Sequence, residues 1–229
     1  MSLEFFAHDA YQRHNKRRQE HLASLALPLT GKTVLELGAG VGDHTSFFLD
    51  RGCSVTVTDA REENLVHVRS RFPLVNTRIV NVESDLPPEL PLHDIVYAYG
   101  LLYHLAEPVV ALKRIASIAK DMLLLETCVS FGMHEAVNQV VENTDDPTQA
   151  AHGIGCRPTR PWVFNSLKHL FEYVYVPKTQ PWHEEFPTNW LGEPPTNATK
   201  LYRSVFVASR SPLKSSLLAD ELINIQARQ

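Results

Sequence analysis

Hydrophobic and polar positions along the chain follow two periods in turn. Short apolar runs at 33–37, 54–58, 76–82, 95–98 and 122–126 are rich in Val, Ile, Leu and Thr. Such runs read as buried strands. Between them lie segments with helical spacing: 45–49, 62–71, and 109–120 with Val109, Leu112, Ile115, Ile118 and Ala119 on one face. Strand and helix alternating in this way predict a mostly parallel sheet with helices on both faces. Residues 7–26 contain no glycine or proline and many long polar side chains, so a helix is expected ahead of the first strand. Pro87, Pro88 and Pro91 break the chain before the fourth strand. From about 130 to 200 the character changes: Trp162, Trp182 and Trp190 and eight of the fifteen prolines fall there. Within that segment 161–170 reads as a helix begun by proline and 171–176 as a strand. A last strand at 202–208 and a short amphipathic helix at 213–226 complete the expectation.

The first strand runs into Gly38-Ala39-Gly40-Val41-Gly42. Glycines at this spacing let the backbone turn and approach a ligand closely, with the following helix's free N–H groups facing it. That is the layout of a nucleotide-type site at the carboxyl end of a strand. No Gly-Lys-Ser/Thr follows, which excludes a kinase-type phosphate loop. Glu36 sits two residues before the first glycine, a poor neighbour for phosphates and a good one for an ammonium group. The second strand ends in Asp59, about twenty residues on, where an acid can accept both ribose hydroxyls. A nucleoside carrying an amino acid satisfies both carboxylates, as S-adenosylmethionine does; NAD and ATP leave Glu36 unexplained.

The phrase Leu35-Glu36-Leu37-Gly38-Ala39-Gly40-Val41-Gly42 resembles motif I of the class I S-adenosylmethionine-dependent methyltransferases, and Asp59 resembles their ribose-binding acid. The resemblance spans roughly residues 30 to 130 and implies an α/β, Rossmann-like sheet with an antiparallel last strand. It also implies cofactor contacts from Glu36, Gly38, Ala39, Gly40, Gly42, Asp59 and Ala60, and from Asn81, Val82 and Glu83 on the adenine side. Asp85 is the weaker adenine-side candidate. Tyr99 and Gly100 complete the set, the Tyr99 ring offering a face to positive charge. Gly100-Leu101-Leu102-Tyr103-His104-Leu105 is similar to the branch holding tRNA wobble-uridine carboxymethyl-transferring enzymes and several sugar and natural-product methyltransferases.

Composition adds limits. The 229 residues suit one domain with one well-filled core, and 44% hydrophobic with 21% charged is that of a soluble globular chain. A net charge of −4 with no basic tail weighs against a nucleic-acid substrate without excluding it. No signal peptide is expected at the start, and no run approaches the ~18 apolar residues of a membrane span. Cys53, Cys128 and Cys156 have no paired spacing, so disulfides and a zinc cluster are not expected and a cytoplasmic location is. His152, His183 and Glu184 have no zinc-type spacing either, so no metal is expected.

His104 is the candidate catalytic residue. Methyl transfer to a hydroxyl needs alignment and a proton acceptor, and imidazole titrates in the right range. A loop-capping role is the alternative for the same side chain. Candidate acceptor contacts are Tyr11 on the first helix, Tyr103, His152, Arg157 and Arg160 in a proline-limited turn, and Trp182 and His183 in an aromatic cluster suited to a polyhydroxylated ligand. Arg157 or Arg160 could equally tie the segment to the surface. The reading is a monomeric or homodimeric enzyme that O-methylates a small-molecule or glycan-like acceptor with S-adenosylmethionine. The alternatives are a tRNA-modifying enzyme and a non-catalytic cofactor-binding protein, with a dehydrogenase more remote.

Overall fold

The computed structural model describes residues 6–144, 149, 153–196 and 201–229. Helix α1 spans Asp9–Ser24; β1 is Thr33–Glu36, α2 Thr45–Leu49, β2 Ser54–Asp59, α3 Glu62–Arg71, β3 Asn76–Ile79, β4 His93–Tyr99, α4 Pro108–Ile118 and β5 Ala119–Cys128. Then come β6 Val137–Val141, β7 Ile154–Pro158, α5 Arg160–Lys168, β8 Tyr173–Pro177, β9 Thr179–Gln180, β10 Arg203–Ser209, β11 Leu218–Ala219 and β12 Ala227–Arg228. The main sheet has the order β11-β8-β10-β5-β4-β1-β2-β3. Strands β1 to β5 are mutually parallel, whereas β10 runs antiparallel between β5 and β8. This is the Rossmann-like sheet of class I methyltransferases, with the antiparallel strand where the sequence placed it.

Strand periodicity divides the core in two. Leu35, Leu123, Leu125, Phe206 and Ala208 point to the face covered by α4 (Leu112, Ile115) and α5 (Val163, Leu167). Their neighbours Val34, Met122, Leu124, Val205 and Val207 point to the other face, under Leu22 of α1, Phe47 and Phe48 of α2, and Leu65 and Val68 of α3. Alternate side chains of a strand necessarily emerge on opposite faces. Asp94 has a structural role: it accepts from the Thr33 N–H and hydroxyl, each at 2.9 Å, and from Lys120 at 3.0 Å.

Three expectations need correction. The tail 213–226 is extended, not helical: Leu218 and Ala219 pair with β8 at the sheet edge, and Gln226 is buried, accepting from Trp190 Nε1 and donating to the Pro177 carbonyl. An apolar run this short fits either period, and the open edge of β8 decides. Strand β3 stops at Ile79 because Asn81 opens a turn, its Oδ1 accepting from Glu83 N–H at 2.9 Å and its carbonyl from Ser84 N–H. The segment from 130 also contains an antiparallel hairpin, β6–β7, that periodicity did not reveal.

Polar burial ties the layers together. Glu126 on β5 is fully buried, and it accepts from Arg18 of α1 and, at 3.1 Å, from Arg203 Nη1 of β10. Neutralising it as Glu126→Gln strands buried guanidinium charge, and urea unfolding should show a loss of roughly 3–5 kcal/mol; a loss within the error of the titration would count against this tie. His21, also fully buried, bonds the Thr179 carbonyl through Nε2 at 3.0 Å, and its Nδ1 has no partner among the described residues. Burial lowers its pKa to about 4, so the fold holds it neutral. The unfolded chain therefore takes up the proton first, and stability should fall as pH drops from about 6.5 towards 4. His21→Gln should flatten that limb of the stability–pH curve.

Candidate active site

The cavity lies over the carboxyl ends of β1, β2, β3 and β4 and the start of β10, has a volume of about 640 Å³, and is within the range of small-molecule sites. The glycine turn forms its base. Gly38, Gly40 and Gly42 all have positive φ, and a Cβ at Gly38 would meet Leu101 Cδ1 at 2.9 Å. Phe6 lies over Gly40 and contacts Tyr11 edge-on, so the start of the described chain and α1 form one wall.

On the β2 side, Asp59 lines the cavity while accepting from Gly40 N–H (2.8 Å), Arg61 N–H (2.9 Å) and Asn64 Nδ2 (3.1 Å). Those bonds fix the carboxylate at the turn's edge, although burial still raises its pKa. Ala60, Asn81, Val82 and Glu83 continue this wall. Glu83 Oε1 is occupied locally, accepting from Ala106 N–H at 2.7 Å and Glu107 N–H at 3.2 Å. Asp85 does not line the cavity; it pairs with Arg114.

Glu36, Ala39 and Gly42 are not part of the wall. Glu36 is buried behind the turn, accepts from the Thr45 hydroxyl at 2.7 Å, and has its pKa raised to about 7 by burial. Ala39 is drawn back by its N–H bond to the Thr58 carbonyl, and Gly42 packs against Val68 and Phe72. Tyr99 and Gly100 do line the cavity. The Tyr99 ring is already engaged, stacked on Tyr97 at 4.4 Å with the Arg18 guanidinium 5.8 Å from its centroid, so it is not an open face awaiting a cation.

On the β5–β10 side, His104 lies at the end of a single 3-10 turn, Leu102–His104. Its Nδ1 is 2.5 Å from Glu142 Oε2, just past β6. A carboxylate at that distance holds the proton on Nδ1 and leaves the Nε2 lone pair to accept another. Burial lowers the His104 pKa, with Glu142 opposing, so neutral imidazole is favoured. Arg157 donates to Glu142 Oε1 at 3.2 Å and to the Tyr103 carbonyl at 3.0 Å. Tyr103 lies between two guanidiniums, Arg157 at 5.0 Å and Arg203 at 4.9 Å, and burial pushes its pKa up to about 12.

Tyr11, Tyr103, Arg157 and His183 all line the cavity. Arg160 does not: it is buried beside Trp190 and donates to Ser204 Oγ and the Ile223 carbonyl, tying the tail to α5. Trp182 is 61% exposed and also off the wall. His152 lies outside the described residues. Cys156 is a buried thiol whose pKa is pushed up to about 12, as an inert role requires. Arg13, placed from the sequence at the mouth of the site as an alternative to Arg17, lines the cavity and Arg17 does not; Arg18, Glu142 and Arg203 are cavity residues that the sequence did not single out.

A family profile described as a methyltransferase domain matches residues 9–195. The chain belongs to that family. Among curated proteins, this methyltransferase-domain chain is 30% identical over 125 residues to the ribosomal RNA small subunit methyltransferase A of Anaeromyxobacter sp. (strain K), a match covering 47% of this chain and 43% of that one. It is 32% identical over 113 residues to the tRNA U34 carboxymethyltransferase of Idiomarina loihiensis, covering 45% and 35%. The match thus spans less than half the length of either relative. Among solved structures, the N-terminal domain of EvdMO1, crystallised in the presence of SAH (S-adenosylhomocysteine) and D-fucose, superposes with a TM-score of 0.64 at 22% identity, covering 88% of this chain and 84% of that one. Magnesium protoporphyrin IX methyltransferase from Synechocystis PCC 6803, with bound SAM, gives 0.57 at 13%, covering 89% and 82%.

Gly155 tests the contact between His104 and Glu142. A Cβ there would lie 2.5 Å from the Tyr103 carbonyl and 2.8 Å from Glu142 Oε1. Gly155→Ala should therefore displace Glu142 from His104, and the imidazole Nδ1–H resonance in proton NMR should lose its downfield, strongly hydrogen-bonded position. An unchanged resonance would break the argument.

Proposed function

We propose that the chain is an S-adenosylmethionine-dependent methyltransferase that O-methylates a small, hydroxylated, sugar-like acceptor. The observation that carries this reading is the pairing, in one cavity, of a ribose-type acid at the end of β2 with a part-buried His–Glu pair beyond β4. The wall of Asp59, Ala60, Asn81 and Val82 suits a nucleoside, and the glycine turn leaves room for it to approach. The cofactor supplies a sulfonium methyl that a nucleophile displaces in line. Glu36, buried behind the turn and bonded to the Thr45 hydroxyl, would supply negative charge toward the cofactor's ammonium end without touching it.

The chain's own task is then positioning and proton removal. The acceptor oxygen gains the methyl and loses its proton to His104 Nε2, while Glu142 stabilises the imidazolium through Nδ1–H. Arg157 keeps the Glu142 carboxylate oriented. Arg13 of α1, ion-paired with Glu184 across the mouth, helps exclude water. The neutral, hydroxyl-directed character of the base favours O-methylation, and the D-fucose present with the similar EvdMO1 domain supports a sugar-like acceptor.

A second reading, a tRNA-modifying enzyme, draws on the Gly100–Leu105 phrase and on the likeness to a tRNA U34 carboxymethyltransferase. Turnover of transcribed tRNA, and of no free sugar or nucleoside sugar, would select it.

Calorimetry with SAH should give one site per chain, weakened at least tenfold in Asp59→Ala. His104→Ala should keep that site and lose at least tenfold in turnover on a hydroxyl acceptor. Because burial lowers the His104 pKa, the acid limb of kcat/KM should lie below 6.5. Absence of SAH uptake removes the cofactor assignment, and undiminished turnover in His104→Ala removes the base.

A further inference from the structure

Side chains from two distant parts of the chain converge on the cavity beside the start of β10. His14 comes from α1, and His183 and Glu185 from the loop after β9. All three line the cavity and each is more than nine-tenths buried, at 7%, 5% and 7% exposure. One ligand-capable atom from each lies within 4.8 Å of the other two. The two imidazoles face each other with centroids 4.8 Å apart, and His14 Nε2 is 3.6 Å from Glu185 Oε2. That separation is too long for a hydrogen bond, and His14 Nε2 has no partner among the described residues. A buried nitrogen left unsatisfied is costly, and the groups nearest His14 Nε2 include the Glu185 carboxylate and the His183 ring, with Arg203 bound to that carboxylate.

We propose that His14, His183 and Glu185 form a binding site for a divalent transition metal ion, of the class that takes two imidazoles and one carboxylate. Zinc is the reference ion. Bonds of about 2.1 Å to such an ion would set adjacent donor atoms about 3.0–3.4 Å apart, so the widest separation, up to 4.8 Å, has to close by roughly 1.5 Å. The surroundings orient the ligands as metal sites require. Glu184 Oε1 lies 3.7 Å from His183 Nε2, which favours a proton on that nitrogen and leaves the lone pair on Nδ1. Nδ1 accepts a long hydrogen bond, 3.3 Å, from the Glu185 N–H, which an ion would have to displace. Arg203 Nε donates to Glu185 Oε2 at 2.6 Å and holds that carboxylate in place. Burial lowers the pKa of both histidines, keeping their lone pairs unprotonated.

Charge decides what else the ion would take. Arg18 and Arg203 balance Glu126 and Glu185, so a bound dication carries uncompensated charge. Its open positions face the cavity and would draw an anionic oxygen, such as a deprotonated acceptor hydroxyl. Arg203 Nη2 also donates to the Tyr103 hydroxyl at 3.2 Å, one residue from His104, so the site adjoins the proposed base. Sequence spacing pointed away from a metal because the ligands are His14 and Glu185, not His152 and Glu184.

Calorimetric titration of the whole chain with zinc chloride, without nucleoside ligand, should show one site per chain. The site should weaken at least tenfold in His14→Ala and in His183→Ala, and stay unchanged in His134→Ala, which removes an exposed histidine elsewhere. X-ray absorption of the zinc-loaded, unsubstituted chain should show an imidazole-containing nitrogen and oxygen shell without sulfur, a readout independent of how the variants fold. No zinc uptake, equal affinity in all four proteins, or a sulfur shell would overturn the proposal. SAH titrated into the same proteins reports separately on the cofactor assignment.

Discussion

A buried carboxylate shared by two arginines governs this structure. Glu126 lies two residues before the end of β5, behind the cavity, and it has no exposure. Isolated there, the charge would be prohibitive; paired with Arg18 and Arg203, it joins three elements that no local sequence signal connects. Arg18 belongs to α1, so the pair fixes the helix that walls the cavity. Arg203 begins the antiparallel strand and reaches on to Glu185 and Tyr103. Gly100 is a consequence of the same packing: its φ is +81°, and a Cβ would lie 2.8 Å from Arg18 Nη2. A glycine that the sequence assigns to the cofactor is thus also required by the network behind it.

The central sheet was legible because β1, β4 and β5 are buried on both faces and read as apolar runs bounded by breakers. The glycine turn and Asp59 were legible because their chemistry is local: strand, turn and acid follow one another at short range. The other half of the cavity was hidden for the opposite reason. Glu142 and His104 are 38 residues apart, Arg18 and Glu126 108 apart, and a charged residue in a sequence looks the same whether it is solvated or buried in a pair. Arg160 and Trp182 show the converse error. A tryptophan beside polar residues suggested a sugar platform, yet Trp182 is 61% exposed, while Trp190 packs against Arg160 and Phe131 to anchor the loop. The tail misled because its leucines fit a helix, while an open strand edge was available for Leu218 and Ala219.

The two sides of the cavity differ electrostatically in a way that matches the division of labour proposed for them. On the β2 side Asp59 is held by backbone and amide donors, with the part-buried Arg61 side chain acting on it more weakly than those bonds, so it keeps acceptor capacity for neutral hydroxyls. On the β5–β10 side every carboxylate has a cationic or imidazole partner: Glu126 with two arginines, Glu185 with Arg203, Glu142 with Arg157 and His104. An anionic acceptor would have to compete for guanidiniums already paired within the protein, at a desolvation cost. A neutral hydroxyl needs no such exchange. It requires one lone pair to take its proton, and burial keeps His104 in the form that provides it while Glu142 holds the tautomer. A hydroxylated acceptor is therefore favoured less by the histidine alone than by the prior neutralisation of the charges around it.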